Sequence, residues 1–330
     1  MSSLLRALRR RILTPSTSNA ELSVRGFHSK DAAAKDLLET VGRSFLQGYA
    51  YAAEARTPEE AEAPLEQIPR RFRGFAYEGA GMGFAVLDAL PFGRGGRTAR
   101  FLQGPGGPHS YMIYVGAGWA LARVHRSRWP RLELGDPLLR WLAIDGYGFH
   151  QAYFHTGKYV FDQYRDTDLP WQADGTPWYT NHVVDQGIGR AMWFVGGADP
   201  SVVADMIDSF PRERRPDLYS GSGLAATYAG GADEKELRVF RSRAGVYLPN
   251  VAQGSAFAAT ARVEADLTIE HTGVATRVFC GMTPEESTRL CRRTRPASTA
   301  QVHEHPGIPS FEVWRMRIAD VFETGAEMSA

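Results

Sequence analysis

Three acidic residues stand at the head of similar glycine-rich apolar segments: Glu78 in YEGAGMGFA (77–85), Asp145 in IDGYGFHQA (144–152) and Asp185 in DQGIGRAMW (185–193). A carboxyl group in a partly apolar pocket has a raised pKa and can act as a general acid or base near neutral pH. With His150 they are the candidates for acid/base work. Tyr77, Tyr114, Gln186, Tyr219 and Gln253 occupy corresponding turns, and Arg190 and Trp193 follow within the same segments; these seven would position a ligand. The alternative for the three carboxylates is plain helix capping, because free N–H groups and the helix dipole favour anions at helix N-termini.

Other chemistries fit less well. His150 and His155 are five residues apart, unlike the i, i+4 pair of a helical zinc site, and no local spacing of His150, His182 and His271 demands a metal. His303-Glu304-His305 reads as surface loop. The GxG strings lack the preceding strand and the following acidic residue of a dinucleotide fold, and no GxxxxGK[ST] or GxSxG occurs. Nothing in the sequence names a cofactor. With 38 basic and 37 acidic residues there is no global pull toward nucleic acid. Two cysteines exclude a disulfide framework, and 43% apolar with 23% charged residues describes an ordinary globular chain.

The elements that would carry these residues repeat. LQGYAYAA (46–53), YVGAGWALA (114–122), YSGSGLAAT (219–227) and AQGSAFAAT (252–260) join the three acidic segments, with first glycines at 48, 79, 116, 146, 187, 221 and 254. The intervals of 31, 37, 30, 41, 34 and 33 residues suit a repeated supersecondary unit. Pro58, Pro69 and Gly79 have the same spacing as Pro200, Pro211 and Gly221, which reads as a duplication. Strands are disfavoured because Gly and Ala are poor strand formers and the segments are long. On a helix the small residues form i, i+4 pairs such as Gly187/Ala191, which let two backbones approach closely.

Between these segments, Thr57-Pro58, Asp136-Pro137, Asp199-Pro200 and Thr283-Pro284 each place a capping residue before a proline at the first helical position. Each unit is then a capped outer helix and a Gly/Ala-rich inner helix. The expected fold is all-α: about six to seven helical hairpins forming a curved solenoid or α/α toroid, with the inner faces lining a cavity. Aromatic residues flanking the motifs either pack the core or wall an elongated apolar or conjugated ligand.

Residues 1–20 read as a basic amphipathic helix and linker, and residues 21–330 as a single helical-repeat domain. Leu4, Leu5, Leu8 and Ile12 share one face of that first helix, with Arg6, Arg9, Arg10 and Arg11 mostly elsewhere. It either packs on the body with solvated arginines or lies on an anionic membrane. The apolar run is too short for a signal peptide, so the default location is cytoplasmic, with membrane association through this helix as the alternative.

The segments VRGFH (24–28), RGFAYEGAGMGFAVLD (73–88), YVGAGWALAR (114–123), DPLLRWLAIDGYGFHQAYF (136–154), DQGIGRAMWFVGG (185–197), DLYSGSGLAATYAGG (217–231) and AQGSAFAATAR (252–262) resemble an actinobacterial family, the domain of unknown function DUF 1702, encoded beside enediyne polyketide synthases. The resemblance spans nearly the whole chain. It implies an accessory role in enediyne antibiotic biosynthesis, after a synthase has made a linear polyene. The partners it implies are a hydrophobic polyene or enediyne intermediate and other proteins of the cluster, a membrane protein among them. It carries no catalytic residues. Two roles remain open: an enzyme of core maturation, by cyclisation, isomerisation or a related step, and a non-catalytic solenoid that shields the intermediate or bridges synthase and membrane partner.

Overall fold

A computed structural model describes residues 3–90, 95–167, 169–171, 177–297 and 307–327. Among them no strand occurs. The chain is all-α. In order, the α-helices are α1 (Ser3–Leu13), α2 (Leu22–Arg25), α3 (Ala32–Glu54), α4 (Glu62–Glu66), α5 (Arg70–Ala89), α6 (Arg97–Gln103), α7 (Ser110–Leu121) and α8 (Leu142–Phe154). There follow α9 (Thr180–Val195), α10 (Pro200–Asp208), α11 (Arg215–Tyr228), α12 (Glu234–Ala244), α13 (Leu248–Glu264), α14 (Glu270–Cys280), α15 (Pro284–Thr294) and α16 (Ser310–Glu327).

All seven glycine-rich segments are helical, on α3, α5, α7, α8, α9, α11 and α13, and each of these helices packs against the next in that order. The contact is made through the glycines. A Cβ on Gly116 would lie 2.0 Å from the Glu78 carbonyl oxygen, and one on Gly187 the same distance from that of Asp145. A Cβ on Gly221 would lie 1.9 Å from the Gln186 carbonyl, and one on Gly254 1.9 Å from that of Ser220. The second glycine of each GxG turns the other way, toward the following helix: Gly118 meets Ala143, Gly148 meets Val184 and Gly189 meets Leu218. One motif thus serves two neighbours, and any side chain at these positions would drive the backbones apart.

The outer segments are less uniform than their proline signals suggest. Asp199 caps α10 through its carboxylate, and Thr283 with Glu286 makes a reciprocal capping box on α15. Thr57, by contrast, makes no side-chain cap and opens only a short 3-10 turn. Asp136 accepts from Leu138 N and Leu139 N, but 3-10 turns, not an α-helix, fill the stretch before α8. The segments around Pro69 and Pro211 share their bonding in detail. Arg73 donates to the carbonyls of Ile68 and Glu66, and Arg215 to those of Phe210 and Asp208; Tyr77 donates to Glu66 and Tyr219 to Asp208.

The first helix corrects one expectation. Arg9 is not solvated: it donates to the carbonyls of Ala53 and Ala55, closing the C-terminal end of α3. Arg10 pairs with Glu54 at 2.8 Å, and Arg6 with Glu60 at 3.7 Å. The guanidinium groups therefore hold α1 to the body, while Leu8 and Ile12 stand 51% and 70% exposed. Residues read from composition as a linker include a 3-10 turn, Thr17–Ala20, and Ala20 is buried against Gly42. No helix among the described residues is long and apolar enough to cross a membrane.

Candidate functional site

The seven glycine-bearing helices line a partly open cavity of about 90 Å³. Its lining follows from helix geometry. Counting from the first glycine, position +3 supplies Trp119, Phe149, Arg190, Leu224 and Phe257 in five successive helices. Position +7, one turn further along the same stripe, supplies Tyr153, Phe194, Tyr228 and Ala261. Phe45, Phe75, Tyr111 and Met112 are also part of the wall, as are Asn19 and Ala20. Aromatic rings run along this space: Phe45 to Trp119 is 4.4 Å between centroids, Trp119 to Phe149 5.1 Å and Phe149 to Phe194 5.4 Å.

Two charged residues break the apolar wall, Glu78 and Arg190. Both are buried, as is Asp145 behind them. Arg190 donates through Nη1 to Asp145 Oδ1, and its Nη2 lies 3.6 Å from Glu78 Oε1. Its guanidinium also sits 5.0 Å from the centre of the Phe149 ring. One cation thus serves two carboxyls, and Asp145 takes the better share. Burial pushes Glu78 up to about 7, against the pull of Arg190 and with a further push from Asp145. Asp145 is raised by burial too, while Arg190 opposes the shift. Trp119 Nε1 is buried without a partner at hydrogen-bonding geometry, although it lies close enough to favour the Glu78 carboxylate. A buried donor left unmet costs roughly 1–3 kcal/mol.

A second buried cluster occupies the ends of α9, α11 and α16. Asp217 accepts from His182 Nδ1 at 2.8 Å, Gln186 Nε2 at 3.1 Å and Arg315 Nη2 at 2.9 Å. Arg315 also donates to Glu312 at 2.6 Å and to Gln253 at 3.1 Å, and Tyr179 donates to Glu312. Burial raises Glu312, while Arg315 opposes the shift. Asp217 stays below the usual carboxylate range because Arg315 and His182 together outweigh its burial. The bond to Asp217 raises His182 in turn. Beside this network Asp185 receives two bonds from Arg214, at 2.9 and 2.6 Å, and burial raises its carboxyl.

The sequence candidates therefore separate. Glu78, Asp145 and Arg190 meet at the cavity; Gln186 and Gln253 belong to the Asp217 cluster, and Asp185 is held by Arg214. Tyr77, Tyr114 and Tyr219 stand two residues before their glycines and turn to the outer layer, bonding Glu66, the Asp136 backbone N–H and Asp208. Trp193 donates to the Gly230 carbonyl and packs on Phe240. His150 lies among Trp119 and Phe154, and burial lowers it to about 3, so its imidazole is neutral. Among the described residues no group of three or more His, Cys, Asp or Glu is placed to hold a metal; His303, Glu304 and His305 lie outside them. Asp217, Glu312 and Arg315 were not among the candidates, and Trp119 stood only among the aromatic residues flanking the motifs that could wall a ligand. Trp119 was recoverable from the +3 register it shares with Arg190, whereas α16 carries no repeat motif to flag Arg315.

Residues 4–322 match the family described as protein of unknown function (DUF1702), and the chain belongs to that family. No curated protein and no solved structure matches it.

Proposed function

We propose that this protein holds part of an elongated, conjugated apolar chain in the cavity between its inner helices, the rest of the chain leaving through the cavity's open side, as an accessory protein of enediyne polyketide biosynthesis acting after the synthase. The observation that carries the binding reading is the largely aromatic cavity whose two charged residues, Glu78 and Arg190, meet at one place in its wall. The enediyne setting rests on the resemblance of the motifs. In this reading residues 21–330 form one domain of repeated helical hairpins curved into a ring about the cavity, which the contact between α13 and α7 supports. Glu78 is the acid/base group: at neutral pH it is divided between its two protonation states, as proton transfer to or from a bound chain requires. Asp145 holds Arg190 and so positions Glu78 indirectly. Asp185 and His150 drop out of the acid/base set, the first engaged by Arg214, the second facing aromatic rings.

A second reading, a membrane-proximal scaffold, is favoured by one observation: Leu8 and Ile12 project from α1 beside exposed Arg10 and Arg11. The cavity reading predicts a polyene of near-stoichiometric occupancy in native mass spectra of protein purified from a host expressing the cognate synthase. An empty protein that retains a protein partner, or floats with anionic vesicles, would transfer the weight to the scaffold.

A further inference from the structure

The polar station in the cavity says what kind of chain it receives. Arg190 is the natural anchor for a carboxylate, but its charge is already committed to Asp145, and Glu78 stands at its other side. A ligand carboxylate would therefore meet two acids and one base in a desolvated site, which opposes binding. A pure hydrocarbon fares better against the aromatic wall and yet leaves Trp119 Nε1–H unmet. The indole ring is clamped between Phe45 and Phe149, so its N–H is held in place and cannot swing away to find another acceptor. Glu78, protonated in part, offers an O–H donor beside it.

We infer that the occupant of this cavity is a conjugated chain carrying one neutral carbonyl-type oxygen, received by Trp119 Nε1–H and the Glu78 carboxyl. The inference rests on the chain-binding reading above and narrows its ligand class. A site built around a hydrogen bond discriminates strongly against an analogue that lacks the bonding group.

The test is displacement of a fluorescent linear tetraene, methyl parinarate, by three chains of matched length: a tetraene hydrocarbon, the methyl ketone and the carboxylate. At pH 6, where the Glu78 carboxyl is mostly protonated and can donate, the ketone should displace the probe at about tenfold lower concentration than either of the others, the ratio expected for one hydrogen bond in a desolvated site. Trp119→Phe should bring ketone and hydrocarbon within about twofold of each other, the ketone losing more affinity than the hydrocarbon. Glu78→Gln, which keeps a donor, should preserve most of the ketone's advantage and let the carboxylate bind more tightly. Equal binding of ketone and hydrocarbon by the wild type would overturn the inference, as would an equal loss of both in Trp119→Phe. If methyl parinarate itself does not bind, the chain-binding reading falls and takes this inference with it.

Discussion

Around Asp217 the buried charges have partners on every side: His182, Gln186 and Arg315 donate to that carboxylate, and Glu312 takes bonds from Arg315 and Tyr179. Around Glu78 they do not. There Arg190 divides itself between two carboxyls, favours Asp145, and leaves Glu78 facing an apolar cavity beside an unmet indole N–H. Both clusters draw on the glycine-rich helices, and the Asp217 cluster adds α16. A saturated network fixes α16 to the bundle, whereas an unsaturated one holds a group whose protonation is poised to change. Burial is common to both clusters; what separates them is the count of partners.

Removing the counter-charge separates the two regions most sharply. Arg315→Met strands Asp217 and Glu312 and should cost about 3–5 kcal/mol in denaturant unfolding at pH 8. Arg190→Met should cost less, and most of the loss should vanish by pH 5, because burial already raises both Glu78 and Asp145 and each can take up a proton. Similar, pH-independent losses for both variants would break the comparison.

The next effect concerns Glu78 alone. Unfolded, its carboxyl releases a proton near 4.5; folded, it does so near 7. Between these values the folded chain binds the proton more tightly, so rising pH favours unfolding. The group's contribution is complete below the lower value and lost as pH climbs through the upper. The difference amounts to about 3 kcal/mol. Glu78→Gln should flatten this part of the stability–pH curve between pH 4.5 and 7 and leave the protein at least as stable as wild type at pH 8. A variant that keeps the wild-type slope would show that another group titrates there.

The smallest effect is a pair of indoles. Trp193 donates to the Gly230 carbonyl at 2.8 Å, and Trp193→Phe should cost about 1–3 kcal/mol by leaving that oxygen unmet. Trp119→Phe removes a donor that has no partner and should cost about 1 kcal/mol or less. Equal losses in thermal unfolding would argue that Trp119 finds a partner within the protein.

The glycine-rich helices were legible because the GxG motif has one physical use, backbone contact with neighbours on two sides, and it recurs in the text of the chain. The same regularity pointed to Glu78 and Asp145. It misled at Tyr77, Tyr114 and Tyr219, since residues one and two places before a glycine are rotated by about 100° from each other on a helix and face different layers. Position −1 carries Glu78 to the cavity; position −2 carries the tyrosines outward. Arg9 was misplaced for a related reason. An amphipathic pattern tells which residues share a face, but here the basic residues, not Leu8 and Ile12, meet the body, because the C-terminal carbonyls of α3 need donors. The Asp217 network depends on α16, more than 90 residues further along the chain, and no local spacing encodes that encounter.

The central claim is that the cavity is the binding site, and filling it tests this most directly. Leu224→Trp and Ala258→Phe each place a larger side chain in the cavity from a different helix. Methyl parinarate titrated into wild type should show saturable fluorescence enhancement near one equivalent, and both variants should lose at least tenfold in affinity while unfolding at temperatures close to wild type. Undiminished binding in two folded variants would contradict the account and place the ligand, if there is one, outside the inner helices.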